Sequence, residues 1–386
     1  MGTRWGVRSR PRILAVAPGP PTDPETFSGA SASLLRELSA RDALVAAVDG
    51  RPSALTRLEQ AASFSIDSER WRQWHNAGAS RISPAIRWAM SEIAARRAAA
   101  RLDGADALLQ MTGWFAPRLP RRKSLLRCAY HDGNVAVFLR RPDLRLRRDA
   151  RRLRWALAFE RQLHHDTDVV LAMSEWLRES FIDDFGLDPG RVVAVGAGAN
   201  IPLPAAAPER DFSRPRVLFP GKQFERKGGR EVLRAFAALR SRRPDAELWI
   251  VGPQHLRVDE PGVRVLGRVR RADAPGGMPD LYRRATLLAM PSFYDPFPTV
   301  FREAMAYRLP CIGSTSCSIP EMVLDGVTGY VVPAGDHAAL AERMIELADD
   351  PDKAQRFGEA GFKRYCERYT WAGTAERIVR AVVERL

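Results

Sequence analysis

Residues 216–251 read RVLFPGKQFERKGGREVLRAFAALRSRRPDAELWIV. The stretch opens with a short apolar run, Arg216 to Pro220, and closes with a second one, Ala246 to Val251. Between these runs, Gly228 to Arg242 follows the pattern of a helix. A strand, a helix and a second strand in this order form a βαβ unit, in which the two strands are parallel. The stretch therefore predicts a parallel α/β sheet.

The same alternation of apolar runs and helical patterns continues on both sides. Further strands are predicted at Ile13 to Ala17, Leu44 to Val48, Ala107 to Gln110, Leu125 to Tyr130, Val169 to Met173, Val263 to Leu266, Leu287 to Met290, Pro310 to Ile312 and Tyr330 to Val332. Strands that alternate with helices form parallel sheets covered by helices. We therefore predict an α/β fold with two Rossmann-like, doubly wound parallel sheets and ligands at the carboxyl ends of the strands.

The length of the chain predicts two domains. A chain of 386 residues is too long for one ordinary core and suits two domains of about 150–200 residues. Four prolines between residues 201 and 215 mark a linker. We expect an N-terminal domain at 1–200, a C-terminal domain at 216–370 with a ligand cleft between the two, and a final helix at 371–386 that packs back on the N-terminal domain.

The composition is that of a globular protein with a strong positive charge. Hydrophobic residues make up 45% of the chain and charged residues 27%, which suits a protein with a buried core. The formal net charge is +14, and 55 of the 60 basic residues are arginine. This charge favours acidic partners, namely nucleotide diphosphates, anionic lipid surfaces or nucleic acid. The sequence has no RNP-like or helix-turn-helix signature, so it predicts no specific nucleic-acid partner.

The sequence shows no targeting segment, and its cysteines suggest no metal site. No apolar run reaches the roughly 7–15 residues of a signal peptide or the ~18 of a membrane span, so we expect a cytoplasmic protein. The cysteines Cys128, Cys311, Cys317 and Cys366 form no CxxC pair and show no metal-ligand spacing with histidine. We predict free thiols, buried at Cys311 and Cys317, with neither a metal nor a resident cofactor.

The basic stretch from residue 145 to residue 162 has two interpretations. Its leucines and arginines alternate at helical spacing, which predicts an amphipathic helix. The helix could pack on its domain with a solvated basic face. Alternatively, it could attach the protein to the inner face of the membrane through anionic lipid headgroups or an anionic lipid-linked acceptor.

The stretch PSFYDPFPTVFREAMA, residues 291–306, has the features of a ligand site. A strand ends, a proline-rich loop follows, and a helix starts near Pro298 or Thr299. The N–H groups of the first helical turn, at Thr299 and Val300, have no partner within the helix and form an anion site.

Two carboxylates flank this helix start. Asp295 lies in the loop that faces the anion site, and Glu303 follows Thr299 by one turn on the same face of the helix. A carboxylate accepts hydrogen bonds from two vicinal hydroxyl groups, as sugars and ribose present them. The alternative is that Asp295 only caps the loop and Glu303 is a solvated helix residue.

These residues resemble the Glu-x7-Glu signature of the family-four retaining glycosyltransferases, the glycosyl transferases group 1, which adopt the two-domain GT-B fold. Asp295 stands where the first Glu is usual, and Glu303 is the second. Residues 221–228, GKQFERKG, resemble the loop that binds the donor diphosphate. The family pattern continues at residues 310–313, 319–323 and 325–336.

The resemblance implies the reaction. A sugar would move from a nucleotide diphosphate sugar to a hydroxyl of a glycan, lipid-linked or small-molecule acceptor. The anomeric configuration would be retained and no metal ion would be required. Activity of this kind is typical of polysaccharide biosynthesis.

The resemblance also implies roles for individual residues. Lys222, at a position more often Arg, and Lys227 would neutralise the diphosphate as it leaves. Glu303 would hold the ribose hydroxyls, and the backbone at Val269 would face the base. Asp295, one methylene shorter than the usual Glu, would bind the transferred sugar.

In the N-terminal half, the resemblance is limited to short patches. His131 resembles the family histidine that contacts the donor sugar, and Gly29 lies in a loop that resembles the glycine-rich loop beside the diphosphate. Pro298 stands where glycine is common, which leaves the identity of the sugar open. The implied catalytic residues are His131, Asp295 and Lys227, and the implied donor-binding residues are Lys222, Lys227, Glu303, Val269, Thr299, Val300 and Gly29.

Two other functions are compatible with parts of the sequence. A nucleotide-sugar epimerase could use the same fold, although the extra acidic residues typical of that class are missing. A non-enzymatic membrane-binding or nucleic-acid-binding protein would account for the positive charge, but the arginines are spread along the chain and are not interleaved with aromatic residues.

Overall fold

The computed structural model describes residues 10–23, 26–50, 84–122, 124–140 and 150–386, the side chains of residues 150–152 excepted. The chain divides into two compact units. One unit is Gly198–Thr370, and the other consists of the chain through Ala197 together with Trp371–Leu386. Each unit has a six-stranded parallel sheet with flanking helices, which confirms the predicted fold class.

Five strands of the first sheet follow the predicted apolar runs, and the sixth, Val192–Ala194, was not predicted. The six strands are β1 (Ile13–Ala17), β2 (Leu44–Asp49), β3 (Ala107–Met111), β4 (Leu126–His131), β5 (Val169–Ala172) and β6 (Val192–Ala194). Their order is β2-β1-β3-β4-β5-β6, and every neighbouring pair is parallel. Because β1, β3 and β5 are buried along their whole length, they form the central layer of this unit, as expected of a parallel sheet covered on both faces.

The helices described in this part of the chain connect these strands. They are α1 (Ala30–Ala40), α2 (Pro84–Ala99), α3 (Val135–Leu139), α4 (Ala150–His165) and α5 (Glu175–Asp183). Ser174 is the N-cap of α5, because the Leu177 N–H donates to Ser174 Oγ at 3.1 Å. The buried residues of helix α2 include Met90, Ala94 and Ala98, which pack towards the core of this unit.

The second sheet has the strand order of a doubly wound fold. Its strands are β7 (Arg216–Pro220), β8 (Glu247–Val251), β9 (Val263–Gly267), β10 (Leu287–Ala289), β11 (Cys311–Ser314) and β12 (Gly329–Val332). The parallel order is β12-β11-β10-β7-β8-β9, so the chain runs outwards from β7 in one direction and then from β10 in the other. The loops after β7 and β10 leave the sheet on either side of this switch point, where ligands of such sheets bind.

Helices cover the second sheet and carry the remaining core residues. They are α6 (Gly229–Arg242), α7 (Met278–Arg284), α8 (Thr299–Ala306), α9 (Ile319–Met322), α10 (His337–Asp349) and α11 (Pro351–Arg368). Helix α6 packs against α10, and α8 packs against α11. Pro298 is the N-cap of α8 and not its first helical residue, with φ −65° and ψ 119°.

The last helix, α12 (Trp371–Val383), belongs to the first unit and packs against α1. Its apolar face is buried, and Arg41 Nη2 donates to the Ala372 carbonyl at 3.0 Å. Arg377 Nε donates to the Val195 carbonyl at 2.8 Å.

Residues 201–215, expected to form a linker, pack on the second unit. The Arg210 side chain donates to the carbonyls of Tyr282 and Tyr307 at 3.0 and 2.8 Å, and burial lowers the pKa of its guanidinium to about 10. The Tyr307 hydroxyl donates to the Pro202 carbonyl at 2.5 Å. The segment thus donates to core carbonyl groups through Arg210 and has its own Pro202 carbonyl satisfied by a core side chain.

The cysteines agree in part with the expected buried free thiols. Cys128 and Cys311 are buried free thiols, Cys317 is half-buried, and Cys366 is exposed on α11. Burial raises the pKa of Cys128 to about 12.

Of the basic stretch 145–162, residues 145–149 lie outside the described residues, and the rest belongs to α4. Within the part of the chain that the structure describes, no helix is long and apolar enough to span a membrane.

Candidate active site

The loops after β7 and β10 approach each other closely at the switch point of the second sheet. Gly228, the N-cap of α6, has φ 79°, and a Cβ atom at this position would lie 2.4 Å from the carbonyl oxygen of Pro291. Only glycine combines this left-handed conformation with so close a backbone contact. The Phe293 N–H donates to the Arg226 carbonyl at 3.0 Å, so the two loops are also hydrogen-bonded.

Lys227 and Asp295 form an ion pair between these loops. Their side chains are 15% and 12% exposed, so the pair is largely desolvated. Burial, followed by the nearby Arg226 guanidinium, lowers the pKa of the Lys227 ammonium well below its ordinary value. The ammonium therefore depends on an adjacent anion to keep its charge. Asp295 is buried, and its partner is a lysine of another loop, so it is not simply a cap of its own loop.

Glu303 is buried on α8 and has two partners that the sequence did not indicate. It is 1% exposed, which excludes the solvated helix residue considered above. Glu303 Oε1 accepts from the Arg271 guanidinium, and Oε2 accepts from the Tyr282 hydroxyl at 3.0 Å. Burial raises the pKa of the Glu303 carboxyl, while Arg271 and then Tyr282 act in the opposite direction. The carboxylate is thus held in one orientation on the helix.

The start of α8 is held by a buried arginine. Arg302 is 2% exposed, its Nε donates to the Gly198 carbonyl at 3.1 Å, and its Nη2 donates to Thr299 Oγ1 at 3.2 Å. Its guanidinium also stacks over the Phe297 ring at 4.3 Å from the centroid. The N-cap residue, Pro298, offers no side-chain hydrogen bond to the first turn, and Thr299 and Val300 are half-buried, so the first-turn N–H groups line the same region.

Val269 lies in the loop after β9 and lines a cavity of about 430 Å³ beside α7. Trp249 and Leu281 form apolar walls of this cavity. Arg271 follows Val269 by two residues and reaches Glu303, so one loop connects the cavity to the buried carboxylate. Lys222 is exposed in the loop after β7 and makes no ion pair with the described residues.

His131 ends β4 in the first unit, where its imidazole is 1% exposed. The His164 and Phe181 rings surround it, with centroid distances of 5.0 and 5.4 Å. Burial lowers the pKa of His131 to about 3, so the ring is neutral at pH 7. Its Nε2 has no hydrogen-bond partner among the described residues. The structure thus places His131 inside the core of its own unit.

Gly29 is the N-cap of α1, with φ 88°. The two residues before it, Phe27 and Ser28, also have positive φ values of 53° and 55°. Such strained turns are concentrated at functional sites. Gly29 and His131 belong to the first unit, whereas Lys222, Lys227, Val269, Asp295, Thr299, Val300 and Glu303 lie in the second.

The structure brings together Lys227 with Asp295, and Glu303 with the start of α8. Sequence reasoning missed Arg271, Tyr282 and Arg302. No pattern could single out the two arginines in a chain that contains 55 arginines. In the described ranges, no group of three or more His, Cys, Asp or Glu side chains is arranged to hold a metal ion.

Comparison with known proteins identifies the second unit. Residues 214–350 match the family model described as Glycosyl transferases group 1. The chain is similar to D-inositol 3-phosphate glycosyltransferase from Corynebacterium glutamicum, with 28% identity over 57% of this chain and 58% of the relative. It is also similar to alpha-maltose-1-phosphate synthase from Mycolicibacterium smegmatis, with 32% identity over 57% of this chain and 64% of the relative. The matches thus span less than two thirds of the length of these curated relatives.

Solved structures with the same architecture cover nearly the whole chain. Sucrose-phosphate synthase from Thermosynechococcus elongatus superposes with a TM-score of 0.70 at 19% identity, over 96% of this chain and 98% of the other. Anabaena HepE in complex with UDP and glucose has a TM-score of 0.61 at 16% identity, over 98% and 100%. Residues 214–350 therefore form a glycosyl transferases group 1 domain, in a chain whose two parallel six-stranded sheets resemble those of GT-B glycosyltransferases.

Proposed function

We propose that the protein is a retaining glycosyltransferase. It takes a sugar from a nucleotide diphosphate sugar, transfers it to a hydroxyl of a glycan, lipid-linked or small-molecule acceptor, and needs no metal ion. The relatives reported above, a D-inositol 3-phosphate glycosyltransferase and an alpha-maltose-1-phosphate synthase, support the class of reaction. The structural similarity to a protein solved with UDP and glucose supports a uridine nucleotide as one candidate donor.

One observation carries the proposal. At the switch point of the second sheet, a buried cation, Lys227, meets a buried anion, Asp295, beside an uncapped helix start. A diphosphate needs cations and N–H donors, and a sugar needs a carboxylate acceptor for its hydroxyls. Both kinds of group lie on loops that leave neighbouring parallel strands.

Donor binding would exchange the partners of Lys227. The donor diphosphate supplies the anion that the desolvated ammonium requires, so Lys227 moves from Asp295 to a phosphate oxygen. The released Asp295 carboxylate then accepts hydrogen bonds from hydroxyls of the sugar. Lys222, exposed and without an ion-pair partner among the described residues, adds a second positive charge at the phosphates.

Glu303 would bind the ribose without losing its present partners. The two carboxylate oxygens have four lone pairs in all, of which Arg271, Tyr282 and the Asn200 N–H occupy three. The remaining lone pair can accept from a ribose hydroxyl. Arg271 and Tyr282 therefore act as positioning residues, because they orient the acceptor atoms of Glu303.

In the chemical step, no covalent bond forms between the sugar and the protein. The bond between the anomeric carbon and the leaving phosphate oxygen breaks, and the acceptor oxygen forms its new bond on the same face of the sugar. The acceptor proton passes to the leaving phosphate, and the nucleoside diphosphate departs. Lys222 and Lys227 stabilise the negative charge that develops on the diphosphate.

The test is release of nucleotide from a panel of donors. The protein is incubated with UDP-, GDP-, ADP- and dTDP-sugars, with and without EDTA, and nucleoside diphosphate is measured by chromatography. We expect one donor class to release its nucleotide at the same rate in EDTA, and NMR of the product to show retained anomeric configuration. Loss of activity in EDTA would contradict metal independence, and failure of every donor to bind or react would contradict the proposed function.

A further inference from the structure

A large cavity lies at the amino edge of the first sheet. Its volume is about 1130 Å³, and it adjoins the amino ends of β1, β3 and β4. His131 stands at the opposite, carboxyl end of β4, and Gly29 follows the carboxyl end of β1. The cavity is therefore on the far edge of the sheet from the site residues predicted in this unit.

Arginine dominates the lining of this cavity. Six of its fourteen lining residues are arginine, against 55 of 386 in the whole chain, an enrichment that general composition does not explain. The six come from separate segments: the residues before β1, the residues before β4, β4 itself and the end of the chain. They are Arg10, Arg12, Arg121, Arg122, Arg127 and Arg385.

Neutral acceptors hold two of these arginines in place. Arg127 donates from Nη2 to a carbonyl at 2.6 Å, and Arg385 donates to two carbonyls at 2.9 and 2.5 Å. The acceptors are the carbonyl groups of Leu119, Ala381 and Gly190. A carbonyl fixes the direction of a guanidinium but does not neutralise it. The acid closest to Arg385 among its ion-pair contacts, Glu384, is 3.8 Å away and 61% exposed, where solvent screens the interaction.

Two further arginines have no partner within the described part of the chain. Arg121 and Arg122 are exposed, and their side chains make no hydrogen bond or ion pair there. Arg10 forms an ion pair with Asp42 at 2.8 Å, but both side chains are more than 70% exposed, so this contact contributes little.

The two side-chain carboxylates that line the cavity accept hydrogen bonds from main-chain N–H groups. Asp106 Oδ2 accepts from the Arg12 N–H at 2.8 Å, and Asp168 Oδ2 accepts from the Arg127 N–H at 2.8 Å. Each acid thus extends the hydrogen-bond pattern at the amino end of a strand. Six guanidinium groups therefore share the cavity with two side-chain carboxylates, each of which already accepts a hydrogen bond from a main-chain N–H.

We propose that this cavity is a second anion site that binds an organic phosphate bearing more than one negative charge. Guanidinium groups bind phosphate oxygens through paired N–H donors, and several converge here. The volume exceeds what a bare phosphate ion requires and lies slightly above the ~300–1,000 Å³ of small-molecule pockets. Leu125 and Val383 supply an apolar wall for the organic part of the ligand. A soluble bisphosphate and an anionic lipid headgroup share this chemistry.

Binding measurements with two probes test the proposal and separate these two sources. Fructose 1,6-bisphosphate is titrated calorimetrically, and vesicles of cardiolipin, a lipid with two phosphates, in phosphatidylcholine are used for cosedimentation, both at physiological salt. The cavity variant is Arg121→Ser with Arg122→Ser. Neither side chain has a partner among the described residues, so we expect the substitutions to leave the fold intact. The matched control is Arg101→Ser with Arg118→Ser, two exposed arginines of the same unit that do not line the cavity.

We expect the wild type and the control variant to bind one of the two probes with equal affinity. The cavity variant should bind the same probe at least about tenfold more weakly. Unchanged melting temperatures of both variants show that folding is not the cause. Lys222→Ala is expected to leave this affinity unchanged, which separates the cavity from the candidate active site. Equal binding by the cavity variant and the control, or no binding of either probe to the wild type, would overturn the proposal. None of these readouts depends on glycosyl transfer.

Discussion

Glu303 shows how one residue connects burial with binding. Its carboxylate is buried, accepts from the Tyr282 hydroxyl at 3.0 Å and is paired with Arg271. Glu346 on α10 has similar partners, the Tyr330 hydroxyl at 2.5 Å and Arg343 at 2.7 Å, but it lies outside the candidate active site. The two acids therefore form a matched pair for experiment.

We expect Glu303→Gln to weaken the binding of the cognate nucleoside diphosphate by about 10- to 100-fold. The ribose would lose a hydrogen bond to a charged acceptor, which is worth ~1.5–3 kcal/mol. Calorimetric titration measures the change, and Glu346→Gln should leave the affinity unchanged. Equal affinity for wild type and Glu303→Gln would remove the assigned role of this residue.

The Lys227–Asp295 pair is expected to be strongly coupled. Removing one partner leaves the other charge desolvated, so Lys227→Met and Asp295→Asn should each lower the free energy of unfolding by about 3 kcal/mol. The double variant should lose much less than the sum of the two. Urea denaturation of the four proteins gives the coupling energy.

The exposed pair Arg380–Glu376, with an N–O distance of 2.9 Å on α12, is the reference for this cycle. Exposed pairs at this helical spacing contribute only ~0.3–0.5 kcal/mol. A coupling energy for Lys227 and Asp295 no larger than this value would show that the buried pair does not act as a unit.

His131 should make stability depend on pH. Its pKa is about 3 in the folded protein, against the ordinary value of 6.5, so between these values the unfolded chain binds a proton that the native protein does not. The contribution of His131 is therefore complete above pH 6.5 and is lost as the pH falls, by about 1.4 kcal/mol per pH unit.

Comparison of variants isolates this contribution. The free energy of unfolding is measured from pH 7.5 to 4.5 for wild type, His131→Leu and His165→Leu, the last at an exposed neighbouring histidine. Glu160, whose pKa is raised to about 7 by burial, acts in the opposite direction but is present in all three proteins. A pH slope for His131→Leu identical to that of the wild type would contradict the prediction.

At the scale of elements, the junction between the loops after β7 and β10 decides whether the site is assembled. At Gly228 (φ 79°), an added Cβ would lie 2.4 Å from the Pro291 carbonyl oxygen. At Gly276 (φ 71°), the same Cβ would meet no atom within 4 Å. The two glycines thus share a backbone conformation but differ in what surrounds them.

We expect Gly228→Ala to destabilise the protein by about 3 kcal/mol and to abolish donor binding, because the loops must separate. Gly276→Ala should lose only the ~1 kcal/mol of left-handed backbone strain and keep its affinity for the donor. Thermal denaturation and nucleotide titration of both variants provide the comparison. If the two alanine variants behave alike, backbone conformation alone explains the glycine and the close contact does not matter.

At the scale of the whole molecule, the last helix couples the end of the chain to its beginning. Helix α12 packs against α1, within the unit that holds the first sheet. The buried face of α12 includes Trp371, Ile378 and Val382. The second unit ends at Thr370, before this helix begins.

We therefore expect a chain truncated after Thr370 to lose stability in the first unit only. Exposure of the apolar surface under α12 should increase amide hydrogen exchange in α1 and β1, because their cover is removed. Strands β7 and β8 of the second unit serve as the internal control and should exchange at the wild-type rate. Faster exchange in both units, or in neither, would contradict this assignment of the helix.

The sequence predicted most elements to within one or two residues. Strand β7 was predicted at the observed bounds, Arg216–Pro220, because buried strands are continuous apolar runs. The start of α8 was predicted near Pro298 or Thr299 and lies at Thr299, because prolines mark helix starts. The segment at residues 201–215 was different: its prolines indicated a linker, but its contacts with the second unit, such as that of Arg210, depend on residues 70 or more positions away.

What the sequence alone determined is therefore local: the elements, the α/β class, the carboxylates Asp295 and Glu303, and the lysines of the loop after β7. The tertiary structure decided which charges meet. Lys227 pairs with Asp295, and Arg271 with Glu303, across segments that are brought together only when β10 inserts beside β7. Helix and strand patterns arise from neighbouring residues, whereas the partner of a buried charge depends on the order of strands in the sheet. Of 55 arginines, the fold alone selects the one that holds Glu303.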